Sequence, residues 1–235
     1  MCGLGVTAMP LSSELSASAI RNQMVEGQIA CRGVSDRRVL AVMRTVPREI
    51  FISPNLKEAA YADSAVPIAE GQTISQPYIA AAMLQAAELH DNDKVLEVGA
   101  GSGYLTALLG RLADRVYAIE RHAALTGAAR ERLRALGYDN VELRTGDGSK
   151  GWMEAAPFDA IIVSAAVLKV PPSLKKQLAL GGRLVIPVGT PDEQRLVRLT
   201  RTSKTEFQEK YFGAVRFVRL IGAEGWKRTD EPQQH

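Results

Sequence analysis

The residues best equipped for chemistry are the glycines of Glu97-Val98-Gly99-Ala100-Gly101-Ser102-Gly103, which follow directly on Val95-Leu96. Glycine admits positive φ and lets a ligand come close to the backbone. A helix opening behind the turn would offer unpaired N–H groups to a carboxylate or phosphate. The Gly-x-Gly-x-Gly spacing is not the Gly-x-Gly-x-x-Gly of dinucleotide sites, and no Gly-Lys-Ser/Thr follows as a P-loop requires. Two carboxylates stand at comparable places further along. Glu120 lies 19 residues after Gly101, where a carboxylate at a strand end accepts both hydroxyls of a ribose. Asp147-Gly148 follows the next apolar stretch, where an acidic side chain can receive an adenine amino group. A solvated charge would account for Glu120 alone, and an ordinary Asp-Gly turn for Asp147 alone. All three at successive strand ends are poorly explained that way.

An acidic residue ahead of Gly-x-Gly-x-Gly resembles the first motif of the S-adenosylmethionine-dependent methyltransferases. The resemblance implies S-adenosyl-L-methionine as cofactor, S-adenosyl-L-homocysteine as product, and Glu97, Gly99, Ala100, Gly101, Gly103, Glu120, Asp147 and Gly148 as cofactor-binding residues. A base-modifying DNA enzyme of this class would carry Asn/Asp-Pro-Pro-aromatic after the fourth strand. Here that place reads Ser164-Ala165-Ala166-Val167, so nucleic acid is not expected as a substrate.

Upstream lies Gly71-Gln72-Thr73-Ile74-Ser75-Gln76-Pro77-Tyr78. Together with Val46-Pro47-Arg48-Glu49, Gly146-Asp147-Gly148, Phe158 to Val163 and Gly181 to Gly189, it closely resembles the protein-L-isoaspartate O-methyltransferases from about residue 20 to 226. Thr-Ile-Ser-x-Pro is the specific part, because general methyltransferases lack it. The resemblance implies methyl transfer to the α-carboxylate of L-isoaspartyl residues in damaged proteins, with the ester closing spontaneously to a succinimide. A carboxylate is already ionised at pH 7, so no general base is required, in keeping with motifs that carry no His or Lys. The family pattern makes Ser75 the catalytic residue that orients the carboxylate; read from pattern alone, Ser75 serves equally as an N-cap for the helix containing Pro77. Gln72, Thr73 and Ile74 are implied to line the cofactor, and Ser164 and Ala165 the reacting end. Val218-Arg219-Leu220 falls where the family has Val-Pro-Leu, a strand that presents its backbone to the substrate peptide. Arg219 in place of Pro restores a backbone donor or adds a charge near substrate, and leaves peptide preference open. Ala69, where Gly is common, is a milder departure. A small-molecule methyltransferase and a non-catalytic cofactor-binding scaffold are the rival readings.

These residues need a scaffold. Apolar spacing predicts helices from Leu15 to Arg32, closed by Gly33, and from Arg37 to Thr45, capped by Ser35 or Asp36. Residues 51–72 read as irregular. Helices are expected over Pro77–Leu89, Leu105–Leu112, Leu125–Leu136 and Pro172–Leu180. Strands are expected over Lys94–Val98, Val116–Ile119, Val141–Arg144, Ala160–Val163 and Arg183–Val188. That alternation argues α/β, a Rossmann-like doubly wound and mostly parallel sheet with helices on both faces. Gln194–Arg201 and Ala214–Leu220 suggest an antiparallel edge hairpin, and the tail from Glu224 reads as loose. The expected organisation is one domain over 1–235: an N-terminal helical extension 1–76, a cofactor-binding core 77–189, and a C-terminal hairpin and tail 190–235.

At 235 residues and 46% hydrophobic, with 20 glycines and 11 prolines, the chain can bury a core without disulfides or metals. Its net charge of +3 is dispersed, unlike the basic stripe of a nucleic-acid binder. Cys2 and Cys31 form no framework, and Cys31 reads as a small buried hydrophobe of a reducing cytosol. His90, His122 and His235 lack ligand spacing, so no metal is expected. No stretch reads as a membrane span, and residues 1–13 have neither the basic start nor the apolar run of a signal peptide. A cytoplasmic monomer acting on isoaspartyl proteins and peptides is the expectation.

Overall fold

The computed structural model describes residues 16–227; the reading of residues 1–13, Cys2 and His235 lie outside them. The apolar runs predicted as strands form a seven-stranded sheet: β1 (Lys94–Val98), β2 (Arg115–Glu120), β3 (Val141–Thr145), β4 (Phe158–Val163), β5 (Leu178–Gly189), β6 (Gln194–Arg201) and β7 (Phe207–Val215). Their order is β3-β2-β1-β4-β5-β6-β7, parallel as far as β5 and antiparallel beyond. Alternate residues divide between the two faces. Val95, Val116, Ala118, Ala160, Ile162 and Val185 join one core, while Leu96, Ile119, Ile161, Val163, Leu184 and Ile186 join the other. Burial on both faces explains why these strands read as unbroken apolar runs.

The first core also takes in α1 (Ala17–Met24), α2 (Arg37–Thr45), α3 (Pro77–Ala87), α4 (Tyr104–Gly110) and α5 (Ala123–Ala135). The second is covered by α6 (Pro172–Lys176) and short helical turns bearing Trp152. Asp36 caps α2, its carboxylate accepting from the N–H groups of Arg38 and Val39, and α2 stops as Val46 turns extended before Pro47. After α1 the chain continues as a π-helical stretch, Val25–Ile29, and a 3-10 turn, Ala30–Arg32. Cys31 is exposed on that turn, not buried, because Val25 and Ile29 take the inward positions.

Four other expectations change. Residues 51–72 are not all irregular: they include the 3-10 stretch Pro54–Tyr61 and a two-residue strand, Val66–Pro67, paired with Thr73–Ile74. The helix expected over Pro172–Leu180 ends at Lys176, and β5 begins at Leu178, drawn into register with Phe158 while Gln177 C=O accepts Phe158 N–H at 2.8 Å. Gly181-Gly182 therefore lies within a strand. The hairpin's second strand is Phe207–Val215, not Ala214–Leu220; its mostly exposed edge carries too little apolar alternation to read. Nor is the chain after Glu224 loose at its start. The Glu224 carboxylate accepts from Ser173 N–H and Oγ, and Trp226 N–H donates to Leu220 C=O at 2.7 Å.

Candidate active site

The chain runs outward from β1 through β2 to β3, then returns to β4 beside β1. Open α/β sheets bind ligands at such a switch point, beyond the strands' carboxyl ends. Here Gly99 follows β1 and Ser164 follows β4. The N–H groups of Gly99 and Ala100 donate to Ile119 C=O at 2.8 and 3.3 Å, tying the turn to β2. Gly101, at φ 54, donates its N–H to one Glu120 carboxylate oxygen at 3.0 Å, and His122 N–H reaches the other at 2.9 Å. A carboxylate oxygen accepts more than one hydrogen bond, so Glu120 is fixed in place yet keeps acceptor capacity. Gly103, at φ 88, is the N-cap of α4, and a Cβ there would come 3.1 Å from the Cβ of Ala129. The third glycine thus lets α4 lie against α5.

Glu97 is wholly buried at the end of β1, and neither of its carboxylate oxygens has a hydrogen-bond partner among the described residues. Burial pushes its carboxyl up to about 8 and Glu120 adds to the rise, while the Thr106 hydroxyl opposes it without reaching hydrogen-bond geometry.

The opposite wall comes from the N-terminal flank. Thr73–Ile74 is held by its pairing with Val66–Pro67, and Ile68 lies 3.5 Å from where a Gly101 Cβ would stand. Gln76, not Ser75, is the N-cap of α3, and it makes no side-chain capping bond. Ser75 therefore does not cap α3. Ser75 C=O accepts from Arg48 Nη2 at 2.8 Å. Arg48 is itself fully buried, its Nε donating to Ala60 C=O at 2.7 Å and its guanidinium lying 4.8 Å from the Tyr104 ring centroid. Burial lowers its pKa, and the Tyr104 phenol partly offsets this.

The third wall is 218–220. Ala166 N–H donates to Val218 C=O at 2.7 Å, and Leu220 N–H donates to Ala166 C=O at 2.8 Å. Gln194 clamps the preceding residue, its Oε1 accepting Phe217 N–H at 2.7 Å and its Nε2 donating to Phe217 C=O at 3.1 Å.

These walls enclose one cavity of about 820 Å³. Gln72, Thr73, Ile74, Ser75, Glu97, Gly99, Ala100, Gly101, Glu120, Gly148, Ser164, Ala165, Val218, Arg219 and Leu220 all line it. Gly103 and Asp147 do not. The Asp147 carboxylate accepts from Ser149 N–H and Oγ and from Ala223 N–H at 2.9, 2.6 and 2.8 Å, which holds the 222–224 loop. Burial would raise its pKa, but the Ala223 N–H and both Ser149 groups outweigh that and keep it below the usual range. Sequence reasoning assigned no role to Arg48 or Gln194. Arg48 lies in Val46-Pro47-Arg48-Glu49, one of the stretches that carry the family resemblance, whereas nothing in type or spacing marks Gln194. No group of three potential metal-ligating side chains occurs among the described residues, and no described helix is long and apolar enough to cross a membrane.

Comparison with known proteins agrees with this geometry. The profile of the protein-L-isoaspartate(D-aspartate) O-methyltransferase family matches residues 19–225. A protein-L-isoaspartate O-methyltransferase of Rhodopseudomonas palustris is 53% identical over 208 residues, 88% of this chain and 95% of that protein. One from Methylorubrum extorquens is 56% identical over 205 residues, 87% and 90% of the two chains. A solved protein-L-isoaspartate O-methyltransferase superposes with a TM-score of 0.77 at 27% identity, covering 87% of this chain and 67% of that one. A Plasmodium falciparum structure described as a protein-L-isoaspartate O-methyltransferase, in complex with S-adenosyl-L-homocysteine, superposes with a TM-score of 0.75 at 27% identity, covering 86% and 98%. The chain belongs to the protein-L-isoaspartate(D-aspartate) O-methyltransferase family.

Proposed function

We propose that the protein transfers a methyl group from S-adenosyl-L-methionine to the α-carboxylate of L-isoaspartyl residues in damaged proteins and peptides, the first step of repair through a succinimide. The observation that carries this reading is the single cavity in which the glycine turn and Glu120 face Ser75 and the 218–220 segment. The residues present suit the cofactor. Glu97 keeps two buried acceptor oxygens without a partner, as a cationic ligand requires, and Glu120 is oriented with capacity left for ribose hydroxyls. When bound, S-adenosyl-L-methionine supplies a methyl group on a positively charged sulfur that leaves readily.

The chain's own part is then positional. Glu97 balances the cofactor's positive charge, Gly99, Ala100 and Gly101 admit its amino-acid end, and Gln72, Thr73 and Ile74 close over it. Gly148 borders the adenine, with Asp147 and Gly103 holding the backbone around the site. Ser75 donates its hydroxyl to the substrate carboxylate, beside Ser164 and Ala165. The substrate carboxylate is ionised at neutral pH, so no residue has to remove a proton. Rate comes from aligning it with the methyl–sulfur bond and excluding water. The substrate backbone lies along 218–220, where Arg219 N–H and C=O have no partner among the described residues. A cytoplasmic monomer belongs to the same reading.

The test is methylation of an isoaspartyl peptide and its aspartyl twin. Base-labile methyl esters should form on the first and not on the second; equal labelling of both, or of neither, sinks the proposal.

A further inference from the structure

The rim of the cavity beside the 218–220 segment carries a concentration of unneutralised positive charge that methyl transfer itself does not require. Arg216 and Arg219 both line the cavity and are exposed. Neither guanidinium lies within ion-pair distance of a carboxylate among the described residues, whereas Arg195 and Arg198 on adjoining β6 pair with Glu193 and Glu88 at 2.8 and 2.5 Å. Asp192 lines the same cavity but makes no ion pair with either, and Glu193 is engaged by Arg195.

Arg219 is also held in place. Its guanidinium lies 4.8 Å from the Trp226 ring centroid. Trp226 is anchored in turn, its Nε1 donating to Ala166 C=O at 3.1 Å and its N–H to Leu220 C=O at 2.7 Å. A guanidinium resting on an aromatic face keeps its edge free, and that edge presents forked N–H donors matched to a carboxylate. Because the aromatic ring already limits its motion, less ordering is needed on binding.

Resting on the proposed activity, we infer that Arg219, with Arg216 on the same rim, forms a subsite for an acidic side chain flanking the isoaspartyl residue of the substrate. An extended peptide along 218–220 projects its neighbouring side chains at intervals of about 3.3 Å per residue, so an Asp or Glu within two positions of the damaged residue reaches this rim. The ligand class is an acidic segment of a damaged protein, and the subsite selects among isoaspartyl substrates without taking part in the methyl transfer.

Three isoaspartyl peptides, identical except for Glu, Gln or Lys at the positions flanking the isoaspartyl residue, supply the test, each with its aspartyl twin. The expected result for the natural enzyme is a kcat/KM about fivefold higher for the Glu than for the Lys peptide at low ionic strength, shrinking at 0.5 M salt, as befits exposed charges. Arg219→Gln, which keeps the backbone donor, brings that ratio close to one, and Arg37→Gln on the exposed surface of α2 leaves it intact. Failure to label the Gln peptide over its aspartyl twin brings down the activity itself. Selective labelling of the Gln peptide with a Glu-to-Lys ratio near one, or a ratio unmoved by Arg219→Gln, overturns the subsite alone. An equal loss on all three peptides in Arg219→Gln also overturns it, because the guanidinium would then serve the reacting carboxylate.

Discussion

Ser75 is held by its backbone while its hydroxyl makes no hydrogen bond among the described residues: Arg48 takes its carbonyl, and Gln76 occupies the N-cap position of α3. In the proposed role that hydroxyl aligns the substrate carboxylate. Ser75→Ala should then lower kcat by about 10- to 100-fold, the scale of lost alignment, while affinity for S-adenosyl-L-homocysteine stays within about twofold. A comparable loss in both quantities would mean that the serine merely shapes the cofactor wall. Glu97 makes a second, pH-dependent prediction. Its folded-state pKa of about 8 stands above the ordinary 4.5, so between those values the native chain keeps a proton that the unfolded chain has shed. Stability of the ligand-free protein therefore falls as pH rises through that window, and Glu97→Gln should flatten this part of the profile. A cationic cofactor favours the ionised form, so S-adenosyl-L-methionine binding below pH 8 should release a proton, measurable by calorimetry in buffers of different ionisation enthalpy. Binding without proton release contradicts the pairing. Glu120 was legible as a cavity residue from residue type and spacing, and Ser75 only through the family resemblance, because its pattern alone suited a helix cap equally. Arg48 was not: arginine is almost always a surface residue, and this one is held by the Ala60 and Ser75 carbonyls and the Tyr104 ring, partners distant in the chain, with its Nη1 left without a partner among the described residues.

At the scale of elements, the strands that carry the site were the legible ones. Lys94–Val98 and Gln194–Arg201 have the bounds their patterns predict, the first from near-complete burial and the second from alternation of apolar and polar residues. The misreadings at Pro172–Leu180 and Ala214–Leu220 have different causes: the true second strand of the hairpin, Phe207–Val215, is mostly exposed and shows little apolar alternation, whereas Pro172–Leu180 is a matter of element type. A short apolar stretch beside glycines suits a helix or a strand, and pairing with Phe158 makes Leu178 onward a strand. The glycine turn shows the same division of labour. Gly101 faces the cavity, whereas Gly103 serves the contact between α4 and α5. Gly103→Ala would have to hold a left-handed conformation and push against Ala129, costing about 2 kcal/mol of stability. Urea unfolding should register that loss, and adding Ala129→Gly should recover part of it. Full recovery would leave no role for the positive φ, and none would leave no role for the contact.

Across the whole molecule, the cavity is walled by parts of the chain that lie far apart in sequence. Ile74 from the N-terminal flank, Gly101 and Glu120 from the parallel sheet, and Val218 beyond the antiparallel edge converge on it. The apolar interior spans the same boundary, with Met24, Met43 and Phe51 in one cluster with Val95, Val116 and Val185. The sheet rests on dense ladders, but the segments that close the cavity do not. Thr73–Ile74 is held by a ladder of two residue pairs, and 218–220 by the bridge at Ala166 and the Trp226 N–H on Leu220 C=O. Local opening follows such sparse bonding, so the closing segments should exchange amide hydrogens well before β1 or β4. A ligand that touches all the walls ties their opening together. At a hundred times its Kd, S-adenosyl-L-homocysteine should stabilise the fold by about 2.7 kcal/mol. Its exchange protection should extend from the glycine turn to Thr73–Ile74 on one side and to 217–220 on the other. Protection confined to residues 97–103 and 120 would mean that the flanks close independently of the cofactor, and that their ordering awaits the peptide substrate instead.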